Sequence, residues 1–148
     1  MSIDLRAERL ESFKAGVIAA FCLTFAFVVT SLVNSLVLAR LFPALSSLEI
    51  DMLNWHWLVS GAIACFSGLL FGVTYRYIIR SDKNPQLKAG GVLAFALVRG
   101  LAQVDIAFSS AYPILPFIVL GVESILWFGL AALALDIAMQ FGWLKPFQ

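Results

Sequence analysis

Four long apolar runs leave this chain little freedom in what it can become. A helix rises about 1.5 Å per residue and the hydrocarbon layer of a bilayer is about 30 Å thick, so one span takes about 20 mostly apolar residues. Runs of that kind cover about residues 15–38, 55–79, 89–110 and 115–140 of the 148. The pattern predicts an all-α polytopic membrane protein, a four-transmembrane-helix bundle that forms a single transmembrane domain over residues 1–148. Hydrophobic residues make up 61% and charged residues 13%, against about 45–50% and about 25% in soluble domains, and a water-soluble fold is excluded. The first run continues unbroken from Ala15 to Leu38. A signal peptide has an apolar core of about 7–15 residues, so this run reads as a permanent anchor.

The ends of the runs carry their own signals. Residues 1–14 read as an amphipathic lead-in on the membrane surface, with Ser2 as N-cap, Asp4 in the first turn, and Ile3, Ala7 and Leu10 along one side. Arg40 and Pro43 close the first span, because the residue before a proline is biased away from helix. The half-apolar stretch LFPALSSLEIDMLN is expected at the interface. Trp55 and Trp57 mark one end of the second span and Tyr75 and Tyr77 the other, at the headgroup level that such rings favour. RSDKNPQLK is the clearly polar link, and Tyr112, Pro113 and Pro116 make a tight turn into the fourth span, which Gly142, Trp143 and Lys145 close.

Lysine and arginine favour the cytoplasmic side of a membrane. Arg6, Arg9 and Lys14 lie in the lead-in, Arg76, Arg80, Lys83 and Lys88 in or beside the link, and Lys145 near the C-terminus. Arg40 stands alone on the other side, with Glu49 and Asp51. Both termini are therefore expected in the cytoplasm. Lys plus Arg (10) nearly balance Asp plus Glu (9), which offers no clustered basic face for nucleic acid.

Polar residues inside the spans are the candidates for function. Arg99 falls near the middle of the third span, where a charge costs about 2.5–3.5 kcal/mol on insertion scales. Asp105 adds a second penalty, so the third span is expected to depend on its neighbours. Across the tight turn, Glu123 lies at the depth of Arg99, and charges inside a membrane usually face the bundle interior and pair. An Arg99–Glu123 ion pair is the expectation, with Gln103, one turn from Arg99, joining the network. Read as a structural or partner-docking clasp, the pair predicts that Glu123→Gln impairs accumulation. The alternative makes Glu123 a protonatable carrier site, or Arg99 a ligand for an anionic headgroup or cofactor. Trp127, one turn past Glu123, is expected as packing beside the pair. Asp105 lies about 240° around the helix from Arg99, and is expected to hydrogen-bond near Asn34, Ser35 or Arg40. Asp136 is expected to be neutralised by Arg76, Arg80 or Lys88.

Ser60, Ala64, Gly68 and Gly72 recur every four residues, a stripe that lets another helix approach closely, either within the chain or from a partner. Cys22 and Cys65 read as packing residues, and His56 as an interfacial polar residue, since a metal site converges several ligands. No nucleophile elbow, HExxH, phosphate loop or dinucleotide fingerprint is present, so no catalytic residue, metal or cofactor is indicated and the chain reads as no enzyme.

The stretch from Gly72 to Asp105, GVTYRYIIRSDKNPQLKAGGVLAFALVRGLAQVD, resembles a family of small, largely uncharacterised four-helix membrane proteins of cyanobacteria and chloroplasts, through its TYRY, NPQLK and ALVRGL segments. The resemblance covers about a quarter of the chain and implies a thylakoid setting, with the basic link in cytoplasm or stroma. Three activities suit short loops and apolar helices. The favoured one is an accessory or assembly factor that associates in the bilayer with other membrane-protein subunits. The others are an ion or solute transporter using Arg99 and Glu123, which would require a homo-oligomer, and a protein that binds a lipid-soluble cofactor.

Overall fold

The computed structural model of the chain describes residues 4–80 and 84–147. Four long helices dominate: α1 (Leu5–Leu41), α2 (Trp55–Ile79), α3 (Pro85–Ser110) and α4 (Ile114–Gln140). Each is long and apolar enough to cross a bilayer, and the protein is a multi-pass integral membrane protein.

α1 begins further upstream than the apolar run alone indicates, since its polar first turns and its apolar body form one continuous helix. Asp4 caps it, its carboxylate accepting from the backbone N–H of Arg6 at 3.1 Å and of Ala7 at 3.5 Å. Asp4 thus takes the cap expected of Ser2, which with Ile3 lies outside the described residues. Near its far end α1 widens into a π-helical turn over Asn34–Leu38, and the N–H of Ala39 bonds to the carbonyl of Asn34. Pro43 then opens a 3-10 helix, Pro43–Leu48, that buries Leu45 and Leu48 against the bundle. The segment expected to lie along the interface is therefore tucked in at two points.

α2 has the bounds that its aromatic ends indicate. α3 starts at Pro85, where Asn84 caps the helix and proline needs no N–H partner. The turn into α4 passes through Ala111 in the left-handed region (φ 55°), and Pro116 fits the first turn of α4 for the same reason as Pro85.

The helices pack as two hairpins. α1 lies chiefly on α2 and α3 chiefly on α4, while α1 also meets α4 and joins the pairs; α2 touches α3 only slightly. The small-residue stripe of α2 explains the first hairpin. A methyl group at Gly68 would sit 2.7 Å from the Ala19 carbonyl oxygen, and one at Gly72 would run into the Ala15 carbonyl. Ala64 is fully buried, while Ser60, at the end of the stripe, is exposed. In the second hairpin the backbones meet at Gly100 and Gly121, where an added methyl on Gly100 would lie 3.3 Å from the Gly121 Cα. Without a hydrophobic drive between helices in lipid, such close backbone approach supplies the association. Phe71, Phe95 and Phe128 bridge the hairpins with edge-on contacts at 5.2–5.3 Å from Phe71.

The end that carries both termini is closed by side chains. Arg76 is fully buried there: Nε donates to the Lys145 carbonyl at 2.8 Å, Nη1 to the Glu8 carbonyl at 3.1 Å and the Ser12 hydroxyl at 2.7 Å, and Nη2 to the Glu8 carboxylate at 2.5 Å. Glu11 accepts from the Lys145 backbone N–H at 3.0 Å and pairs with Lys14 at 2.7 Å. Asp136 pairs with Lys88 at 3.0 Å and accepts from the Tyr75 hydroxyl at 3.2 Å. Tyr75 is thus a buried hydrogen-bond donor and not the interfacial ring its position suggested, whereas Tyr77 is exposed.

Candidate functional site

The opposite half of the bundle holds a cavity of about 330 Å³ that opens beside the loop of residues 49–54. All four helices line it: Thr30, Ser31 and Asn34 from α1, Trp57 and Ser60 from α2, Arg99 and Gln103 from α3, and Glu123, Ser124 and Trp127 from α4. Glu49, Asp51 and His56 stand at its mouth. The π-helical turn begins at Asn34, which is buried and reaches the cavity. Such turns recur at functional sites because they displace side chains from the ordinary helical register.

Arg99 and Glu123 share this cavity, as their common depth indicated, but among the described residues they form no ion pair. The Arg99 guanidinium instead lies over the Trp127 ring, 4.8 Å from its centroid. The Asn34 side-chain amide lies against the Glu123 carboxyl, which is 8% exposed. Sequence spacing gives the depth of a side chain in a bundle but not its bearing around the helix. Gly100 and Gly121 take the line of closest approach between α3 and α4, which turns the two charges into the cavity rather than onto each other.

The polar atoms of this cavity are incompletely matched. Among the described residues, four buried side-chain atoms have no hydrogen-bond partner: Asn34 Oδ1, Trp57 Nε1, Arg99 Nε and Trp127 Nε1. All four residues line this one cavity. Three of those atoms are donors and one is an acceptor, and the Glu123 carboxyl adds acceptors. The Thr30 and Ser124 hydroxyls contribute little more, since each donates to the carbonyl four residues before it, at 2.9 and 3.0 Å. Leaving a buried polar atom unmatched costs about 1–3 kcal/mol, so four in one place form a site prepared for something polar.

The remaining expected site residues divide. Gln103 lines the cavity beside Arg99. Asp105 does not join them: it is exposed on the flank of α3, and its backbone carbonyl accepts the Ser109 hydroxyl at 2.7 Å. Its 240° offset from Arg99 was the signal for this separation. The basic link is not a free cluster, because Arg76 is buried in the closed end and Lys88 is paired with Asp136. Arg80 is exposed with its guanidinium over Phe147 at 5.5 Å, and Lys83 lies outside the described residues. Trp57 and Asn34, which the sequence placed at an interface and beside Asp105, are the members of the site that sequence reasoning missed. Among the described residues no cluster of three or more histidine, cysteine, aspartate or glutamate side chains could hold a metal ion. No protein-family model, curated protein or solved structure matches the chain.

Proposed function

We propose that this protein is a membrane-embedded binding protein whose loop-side cavity receives a small polar solute or headgroup carrying both an anionic and a cationic group. The observation that carries the reading is that all four of the described residues with an unmatched buried side-chain polar atom line one cavity, together with an arginine and a glutamate that do not pair. An anion alone would satisfy Arg99, Trp57 and Trp127 and leave Asn34 Oδ1 without a donor and Glu123 with the Asn34 amide alone. A cation alone would do the reverse. A ligand with an anionic oxygen cluster at one end and an ammonium at the other completes both halves. The acidic mouth at Glu49 and Asp51 favours the cationic end.

The reading as an accessory subunit drew on the α2 stripe and the basic link. Gly68 and Gly72 are covered by α1, Arg76 is buried and Lys88 is paired, so these residues support the fold. A photosynthetic membrane as the setting rests on the resemblance at Gly72–Asp105 alone.

The test is the stability of the purified protein in micelles. A ligand that binds only the folded state stabilises by RT ln(1 + [L]/Kd), about 2.7 kcal/mol at a hundredfold excess over Kd. Glycerophosphoethanolamine should raise the unfolding midpoint more than ethylammonium and inorganic phosphate added together, and the increment should vanish in both Arg99→Gln and Glu123→Gln. An equal response to the separate ions, or an increment that persists in both variants, would overturn the proposal.

A further inference from the structure

A second cavity, of about 520 Å³, opens between α2 and α3 on the outer flank of the bundle. Its walls are apolar, with Ile63 and Leu70 on α2, Val98 and Ala102 on α3, and Phe128 behind them. Val98 is 74% exposed, so the groove faces what surrounds the bundle, which for a spanning helix is lipid. Arg99 and Gln103 line this groove as well as the polar cavity. One arginine therefore stands where an apolar groove open to the bilayer meets a polar chamber open to the loop side. The two hairpins touch only slightly here, since α1 on α4 makes the main junction between them.

We infer that the ligand is an amphiphile that enters from the bilayer between α2 and α3, with a primary-ammonium phosphodiester head in the polar cavity and its acyl chain in the lateral groove. The inference rests on the proposed polar binding site and names the class of ligand that uses it. Charge complementarity selects the head. The phosphodiester carries one negative charge for the one arginine, and its oxygens accept from Trp57 and Trp127. The ammonium supplies N–H donors to Asn34 Oδ1 and Glu123, which a quaternary ammonium lacks. The acidic mouth also bears on the route. Glu49 and Asp51 repel an anionic group arriving from water, whereas the groove brings the head to Arg99 without passing them. The chain gains little from apolar burial, since lipid tails are as apolar as the groove, so selectivity lies in the head.

The experiment uses the full chain with Trp55 and Trp143, which lie outside both cavities, replaced by Phe, so that Trp57 and Trp127 report. The protein is placed in phosphatidylglycerol nanodiscs doped with phosphatidylethanolamine brominated on its acyl chain, a short-range quencher of tryptophan. Half-maximal quenching should need at least a tenfold lower mole fraction of the brominated phosphatidylethanolamine than of brominated phosphatidylglycerol. Ala102→Phe on one wall of the groove and Ser67→Phe on the other should each abolish that preference while leaving the stabilisation by chain-free glycerophosphoethanolamine in place. Equal quenching by the two lipids, or a preference that survives both groove variants, overturns the inference. If the chain-free headgroup still stabilises, the lateral route alone has failed; if it does not, the polar site has failed with it.

Discussion

Two arginines inside this bundle meet opposite fates, and the contrast says what each is for. Arg76 is 0% exposed and every nitrogen of its guanidinium is bonded, to Glu8, Ser12 and Lys145. Removing one member of a fully buried ion pair costs about 3–5 kcal/mol, and Glu8 keeps some solvent contact, its side chain being 19% exposed. Arg76→Met should therefore cost about 3 kcal/mol in the denaturing-detergent titration of the micellar protein, with Arg76→Lys recovering part of it through Glu8 alone. Arg99→Met gives up a stack on Trp127 and no hydrogen bond from Nε, so it should cost clearly less. The unformed ion pair has its own test. Coupling between Arg99→Gln and Glu123→Gln in a double-mutant cycle should stay below about 0.5 kcal/mol, the range for residues without direct interaction, and Glu123→Gln should accumulate normally. A coupling well above that would restore the clasp. The depth of both charges was legible in the sequence, because depth follows from residue count. Their orientation was not, because it depends on which small residues the neighbouring helix presses against.

At the scale of the helices, the apolar runs told where each span lies and the punctuation told where it ends. Trp55 and Gln140 bound their helices where the sequence places them, whereas α3 begins at Pro85, inside the polar link and ahead of the expected start near residue 89. α1 and α3 both start upstream of their apolar runs, because a polar first turn is as compatible with continuing a helix as with leaving it. Glu8, Glu11 and Ser12 keep the helix going by bonding to Arg76 and Lys145, partners more than sixty residues away. The α2 stripe tests the packing directly. Gly72→Ala should destabilise by about 1–3 kcal/mol, since its methyl would meet the Ala15 backbone, which cannot yield as a side chain can. Gly90→Ala and Gly129→Ala meet nothing within 4 Å and should be neutral or stabilising by up to about 1 kcal/mol through helix propensity. The same detergent titration ranks all three. Equal effects at Gly72 and Gly90 would mean that the α1–α2 contact is not where the hairpin is held.

The molecule as a whole is closed at one end and open at the other. At the closed end, polar side chains bond to one another across α1, α2, α3, α4 and the C-terminal segment, where Leu144 is 1% exposed and Phe147 lies under Arg76 and Arg80. At the open end, four polar side chains that line a cavity each leave a buried atom without a partner among the described residues. The distribution of lysine and arginine showed that both termini share an end. It could not show that this end is sealed, because the seal is made by contacts between residues distant in sequence. The asymmetry makes a prediction about access that concerns no single residue. In a background where Cys22 and Cys65 are replaced by Ala, Ser60→Cys and Ser124→Cys should react with a membrane-impermeant thiol reagent applied from the loop side. Ser124 is 1% exposed, so the reagent can reach it only through the cavity. Ala138→Cys, near the closed end and 4% exposed, should stay unlabelled from either face. Sealed vesicles of both orientations separate the two directions, and the cytoplasmic termini expected from the lysine and arginine distribution predict that the reactive face is outside in right-side-out vesicles. Labelling at position 124 from the terminus-bearing face would require a path through the bundle, making this a channel rather than a chamber.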